Sequence, residues 1–177
     1  MEPTELRMTE HNDAISASTQ DERDQHFLRR SFEVSRRALS HGNHPFGAVL
    51  VDQHGQVLLE AENRYMPTRD GTAHAERLLA TEACTTLSDD VRATATLYSS
   101  AEPCAMCAGA IYWAGIGRVV YGLSEQRLRT LTGDHPENLT LDLPCRDVFA
   151  SGQRSIEVVG PLLEDEAAAP HAGAWKR

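Results

Sequence analysis

Lysine is almost missing from this chain: Lys176 stands alone among 17 basic residues, against 26 acidic ones and a net charge of −9. Neutralising phosphates supplies most non-specific affinity for nucleic acid and calls for a basic stripe. None is visible. The densest basic cluster, Arg29, Arg30, Arg36 and Arg37, reads as the solvated face of a helix, so a nucleic-acid partner is not expected. No apolar run approaches the roughly 20 residues that span a bilayer, and residues 1–24 carry neither the basic nor the apolar part of a secretory signal. The expectation is a cytoplasmic chain without a membrane partner. In that setting Cys84, Cys104, Cys107 and Cys145 point to metal binding or buried thiols rather than to a disulfide framework. Cys84 and Cys145 are expected to be small buried hydrophobes.

What is present suits one domain with a substantial core, at 177 residues. Residues 1–22 lack hydrophobic period and read as a mobile tail. Phe27, Leu28, Phe32, Val34 and Ala38 recur at near-helical spacing over 24–39, with Gly42 as a stop. Two apolar, β-prone runs, 46–51 and 57–61, are joined by Asp52-Gln53-His54-Gly55 and predict a hairpin. After a polar loop, helices are predicted over 73–84, 103–114, 124–131, 146–150 and 162–168. Strands are predicted over 95–99, 118–121 and 156–159, and 132–143 reads as loop. Pro103 suits the first turn of its helix, where a missing N–H costs nothing. Strands alternating with helices after a hairpin predict an α/β sandwich with a mixed sheet. The folded domain spans 23–168, followed by a short tail over 169–177.

Two helix starts carry the chemistry. One holds His74-Ala75-Glu76 and the other Pro103-Cys104-Ala105-Met106-Cys107. Cysteines at i and i+3 share a helix face and can grip one ion, and the unpaired N–H groups of a first turn favour thiolates. Zinc takes imidazole and thiolate, and a catalytic site keeps three protein ligands and one open position. A closed structural site would need a fourth ligand, from Cys84, Cys145 or another His. Glu76 favours the open site, because a carboxylate there can take a proton from water that the metal activates. No second C-x-x-C completes a zinc ribbon. His-x-Glu followed by Pro-Cys-x-x-Cys is the signature of the zinc deaminases.

Around these residues the chain resembles the cytidine deaminase superfamily, and within it the guanine deaminases and tRNA adenosine deaminases. The matching segments are Pro45-Phe46-Gly47-Ala48-Val49, Asn63, 72–76, 100–109 and Ile111-Tyr112-Trp113-Ala114. The resemblance implies a three-layer α/β/α sandwich around a mixed five-stranded sheet, usually a homodimer, with one zinc ion per chain on His74, Cys104 and Cys107. It implies that Glu76 is catalytic, that Asn63 hydrogen-bonds the base, and that the backbone N–H groups of Ala75 and Cys104 lie near the reacting carbon as donors. Phe46 and Trp113 are further candidates for the base, Trp113 by stacking on a purine; the alternative for both is a place in the core. Trp175 is a candidate to close the C-terminal tail over the site, the alternative being an ordinary tail. The expected activity is release of ammonia from a guanine-type purine base or nucleoside. Cytosine or another pyrimidine, tRNA adenosine, and a non-catalytic zinc-stabilised binding protein are the alternatives. The chain departs from the resemblance in two places. Gly71 stands where Pro is usual, and 132–138 replaces an acidic Gly-Phe-Asp-Asp segment, leaving Asp134 and Glu137 as substitute acids.

Overall fold

The computed structural model describes residues 19–175; most of the predicted N-terminal tail lies outside them. Thr19 starts the first helix with a capping box, its side chain and that of Glu22 each bonding the other's backbone N–H. Helix α1 therefore begins at Gln20, four residues before the apolar period does, and runs Gln20–Ser40. Strands β1 (Gly47–Val51) and β2 (Val57–Glu62) form the predicted hairpin. Then come α2 (Ala75–Thr86), α3 (Asp89–Thr94), β3 (Thr96–Ala101), α4 (Ala105–Ala114), β4 (Arg118–Leu123), α5 (Glu125–Thr132), α6 (Cys145–Ala150), β5 (Glu157–Val159) and α7 (Glu164–Ala168). The sheet order is β2-β1-β3-β4-β5, antiparallel from β2 to β3 and parallel from β3 to β5.

Every residue of β1 is buried, because both sheet faces are covered. Ala48 and Leu50 pack with α2, α4 and α6 on one face; Val49 and Val51 pack with α1 and α7 on the other. This is the three-layer sandwich. Helix α1 crosses so close to β1 that a Cβ on Gly47 would lie 2.5 Å from the backbone nitrogen of Ser35. Gly115, left-handed at φ 80°, ends α4 and turns the chain into β4.

Helix α3 was not expected. It buries no residue and so leaves no apolar period to read. Arg92 anchors it, donating to the carbonyls of Ala83, Leu87 and Ala114. Cys145 is buried as predicted, but Cys84 is exposed, since it lies beside Ala83 on the outer side of α2. Three of the four arginines in that α1 cluster are ion-paired rather than free for phosphates. Arg30 and Arg37 hold Glu60, and Arg37 also holds Glu62 on β2, while Arg29 holds Glu166.

Asp24 is buried and takes both terminal nitrogens of Arg118 at 2.7 Å, with the Tyr98 hydroxyl donating at 2.9 Å. Burial alone would raise its pKa, but Arg118, Gln20 and Tyr98 hold it below the ordinary value. The contribution of this pair is complete above pH about 4 and is lost as acid protonates Asp24. Asp24→Ala leaves the Arg118 guanidinium with only the exposed Glu157 as its partner, and breaking such a buried pair costs about 3–5 kcal/mol. A fall in melting temperature of about 10 °C is expected at neutral pH, and the difference between variant and parent should shrink as the pH falls through the depressed pKa of Asp24.

Candidate active site

The cluster forms where two helices start side by side beyond the carboxyl end of β3. His74 is the N-cap of α2 and Cys104 the N-cap of α4; both have extended backbones, and neither side chain caps its own helix. Pro103 thus precedes the helix instead of opening its first turn. Cys107, in the first turn of α4, is fully buried. His74 Nδ1 lies 3.6 Å from the Sγ of Cys104 and 3.6 Å from that of Cys107. Zinc bonds of about 2.0–2.1 Å to nitrogen and 2.3 Å to sulfur, set at a tetrahedral angle, require an N···S distance of about 3.6 Å. The donor set fits zinc. Among the described residues it has three members and no fourth, which leaves the open position a catalytic site needs.

On an ideal helix Glu76 would project about 200° from His74, yet it joins the cluster. The extended N-cap turns His74 off the helical path. Glu76 is buried; Oε1 accepts a 2.8 Å hydrogen bond from Ser99 Oγ on β3, and Oε2 is 3.7 Å from Cys107 Sγ. Burial raises its pKa, and His74 opposes the rise. Cys104 is pulled down to about 4, first by the Cys107 S–H and then by His74. Cys107 is pushed up by the neighbouring Cys104 and by burial.

A cavity of about 100 Å³ opens on this cluster, with His74, Glu76 and Cys104 on one side and Phe46, Leu128, Asn138, Leu139 and Leu141 among its other walls. Phe46 is where the sequence reading put it. Trp113 is not: it is 85% exposed, because it lies about 200° around α4 from buried Ile111, so neither stacking in the cavity nor a place in the core holds. Asn63 and Ala75 are buried beside the cavity without lining it. Asn63 Oδ1 accepts the Tyr65 N–H at 3.0 Å, and Ala75 is the first residue of α2.

Of the substitute acids, Asp134 is exposed and Glu137 is held by His44 at 2.8 Å; neither lines the cavity. Two acids that sequence reasoning missed do, Glu102 and Glu125. Glu102 is used up structurally, accepting the backbone N–H groups of Glu125 and Cys145 at the starts of α5 and α6. Glu125, at the first turn of α5, reads in sequence only as a partner for the helix dipole. Its pKa is pushed up to about 7, by burial and then by Cys104, Glu102 and Glu76.

The C-terminal segment turns back against the cavity wall. Trp175 stacks on His44 and on His171, with its ring 6.0 Å from that of Phe46. Its indole N–H donates to Nδ1 of His171 at 3.1 Å, so the His171 proton sits on Nε2, which is buried without a partner. Burial holds His171 down to about 4 and therefore neutral at pH 7.

Comparison with known proteins agrees with this geometry. A probable cytosine deaminase of Schizosaccharomyces pombe is 42% identical over 161 residues, covering 91% of this chain and 98% of that one. A tRNA-specific adenosine deaminase of Haemophilus influenzae is 35% identical over 112 residues, 63% of this chain and 65% of its own length. The solved structure of a guanine deaminase from Nitrosomonas europaea superposes with a TM-score of 0.68 at 26% identity, covering 83% of this chain and 81% of the other. The model of the cytidine and deoxycytidylate deaminase zinc-binding region matches residues 21–123. That span holds the whole metal cluster and more than half the chain, so the chain belongs to the cytidine and deoxycytidylate deaminase family and is a zinc-dependent hydrolytic deaminase.

Proposed function

We propose that the protein releases ammonia from a free aminated nucleobase, with cytosine ahead of guanine. The observation that carries this is the size of the cavity at the cluster. At about 100 Å³ it is well below the roughly 300–1,000 Å³ of pockets that take drug-sized ligands, and it suits one flat ring better than a ring with its sugar. The sequence reading favoured a guanine-type purine. Cavity size and similarity to a probable cytosine deaminase along nearly the whole of both chains support moving a pyrimidine ahead of it. Guanine stays as the second reading because the guanine deaminase superposes over 83% of this chain. A tRNA substrate is disfavoured by the net charge of −9, and a purely structural zinc site by the lack of a fourth ligand among the described residues.

His74, Cys104 and Cys107 would hold zinc, which when bound would supply Lewis acidity to activate water. Glu76 takes a proton as water adds to the amine-bearing carbon and gives it to the ring nitrogen. It then takes the proton of the new hydroxyl and gives it to the departing amine, so that ammonia leaves and a carbonyl remains. Ser99 fixes Oε1, which leaves Oε2 for that transfer. Phe46 flanks the ring, and Trp175 backs Phe46 from outside the cavity lining. The homodimer implied by the resemblance goes with this reading. No helix among the described residues is long and apolar enough to cross a membrane.

The test is ammonia release by the zinc-loaded protein from cytosine, guanine, adenine and their nucleosides. Cytosine is expected to show the highest kcat/KM, with each nucleoside slower than its base. A higher value for guanine would select the second reading; no release from any free base would overturn both.

A further inference from the structure

Glu125 is the one acid of the cavity that neither the fold nor the reaction employs. Glu76 is bound by Ser99, and Glu102 is consumed by two backbone N–H groups. The Glu125 backbone is pinned by Glu102 at 3.1 Å, so its side chain starts from a fixed point. Yet its carboxylate has neither a hydrogen bond nor an ion pair among the described residues, and it is half-buried in a cavity whose walls include Leu128, Leu139 and Leu141. An unpartnered carboxylate on an apolar wall is costly and calls for a donor from a ligand. Glu125 also lines a wider outer pocket of about 560 Å³, so it stands where the cavity meets that pocket. A base seated with its amine at the cluster turns its opposite edge toward a rim. That edge carries the ring nitrogen that bears the sugar in a nucleoside.

Resting on the free-base reading above, we propose that Glu125 is the specificity-determining residue: its carboxylate accepts a hydrogen bond from the ring N–H that a free base has and a nucleoside lacks. A site built around such a bond rejects the analogue that cannot make it.

The test compares cytosine with 1-methylcytosine in the zinc-loaded parent and in Glu125→Ala and Glu125→Gln, with zinc content and melting temperature confirming that each variant folds. Turnover and binding are both read, the latter by tryptophan fluorescence, since Trp175 packs against the cavity wall. The parent should prefer cytosine by about a hundredfold or more. Glu125→Ala should raise KM for cytosine about tenfold to a hundredfold with kcat within a few fold, and the preference over 1-methylcytosine should collapse to under about threefold. Glu125→Gln, which keeps an acceptor, should recover part of it. An unchanged KM, or a preference that persists in Glu125→Ala, overturns the assignment. Binding that depends on Glu125 without ammonia release overturns the proposed function and leaves this assignment standing; a protein that binds neither base overturns both. If guanine proves the better substrate, guanine and 9-methylguanine replace the pair, with the same outcomes.

Discussion

Glu76→Gln should lower ammonia release by about 10³- to 10⁴-fold and leave zinc content unchanged. General acid–base catalysis by a placed side chain is typically worth 10²–10⁴, and here one carboxylate serves several proton transfers. The amide matches the carboxylate in shape, so the Ser99 hydroxyl can still donate to its oxygen and the buried packing is kept. Only the ability to take up and return a proton is removed. The three metal donors do not include Glu76, so metal analysis of the variant should match the parent. Ammonia release near the parental rate would remove Glu76 from the mechanism, whereas loss of zinc would make it a structural support.

Stripping the metal should abolish activity and also lower the melting temperature by about 10 °C or more. The ligands are not hung on a finished scaffold. His74 and Cys104 are the N-caps of two different helices, and the ion joins those helix starts across a buried interface. A ligand bound only by the folded state, at a thousand times its dissociation constant, contributes about 4 kcal/mol, and 2–4 °C per kcal/mol is usual for a domain of this size. Without the ion, an ionised Cys104, a Cys107 held protonated and buried Glu76 crowd one small space. A chelator followed by dialysis should produce both losses, and added zinc should reverse them. Cys107→Ala should show the same losses without rescue. A melting temperature indifferent to zinc would confine the ion to the chemistry.

The sequence marks some of this better than the rest, for physical reasons. The metal donors are legible because zinc accepts few side chains and the two helix starts fix their spacing. The layers are legible because β1 is a continuous apolar run and α1 repeats its apolar residues at helical period. Helix α3 is not, since nothing in it is buried and Arg92 holds it through distant carbonyls. Trp113 misleads because an aromatic in a well-matched segment reads as a contact, while its angle around α4 decides its direction. Glu125 is silent. A first-turn glutamate is commonplace, and only the fold brings α5 to the end of β3 and β4, where that residue faces the cavity. Of the substitute acids, Glu137 is held by His44 and neither lines the cavity.

The arginines that α1 lays across β2 bear on how the molecule meets others of its kind. A sheet with open edges can be lengthened by any strand that arrives, the first step of aggregation. Here one edge strand, β5, is only three residues long. The other, β2, carries Glu60 and Glu62, each gripped from above by α1. A visiting strand would find a charged, strapped border on one side and almost nothing to pair with on the other. Edge-to-edge growth is therefore discouraged at both ends of the sheet, and self-association is left to the helical layers, where Trp113 stands exposed.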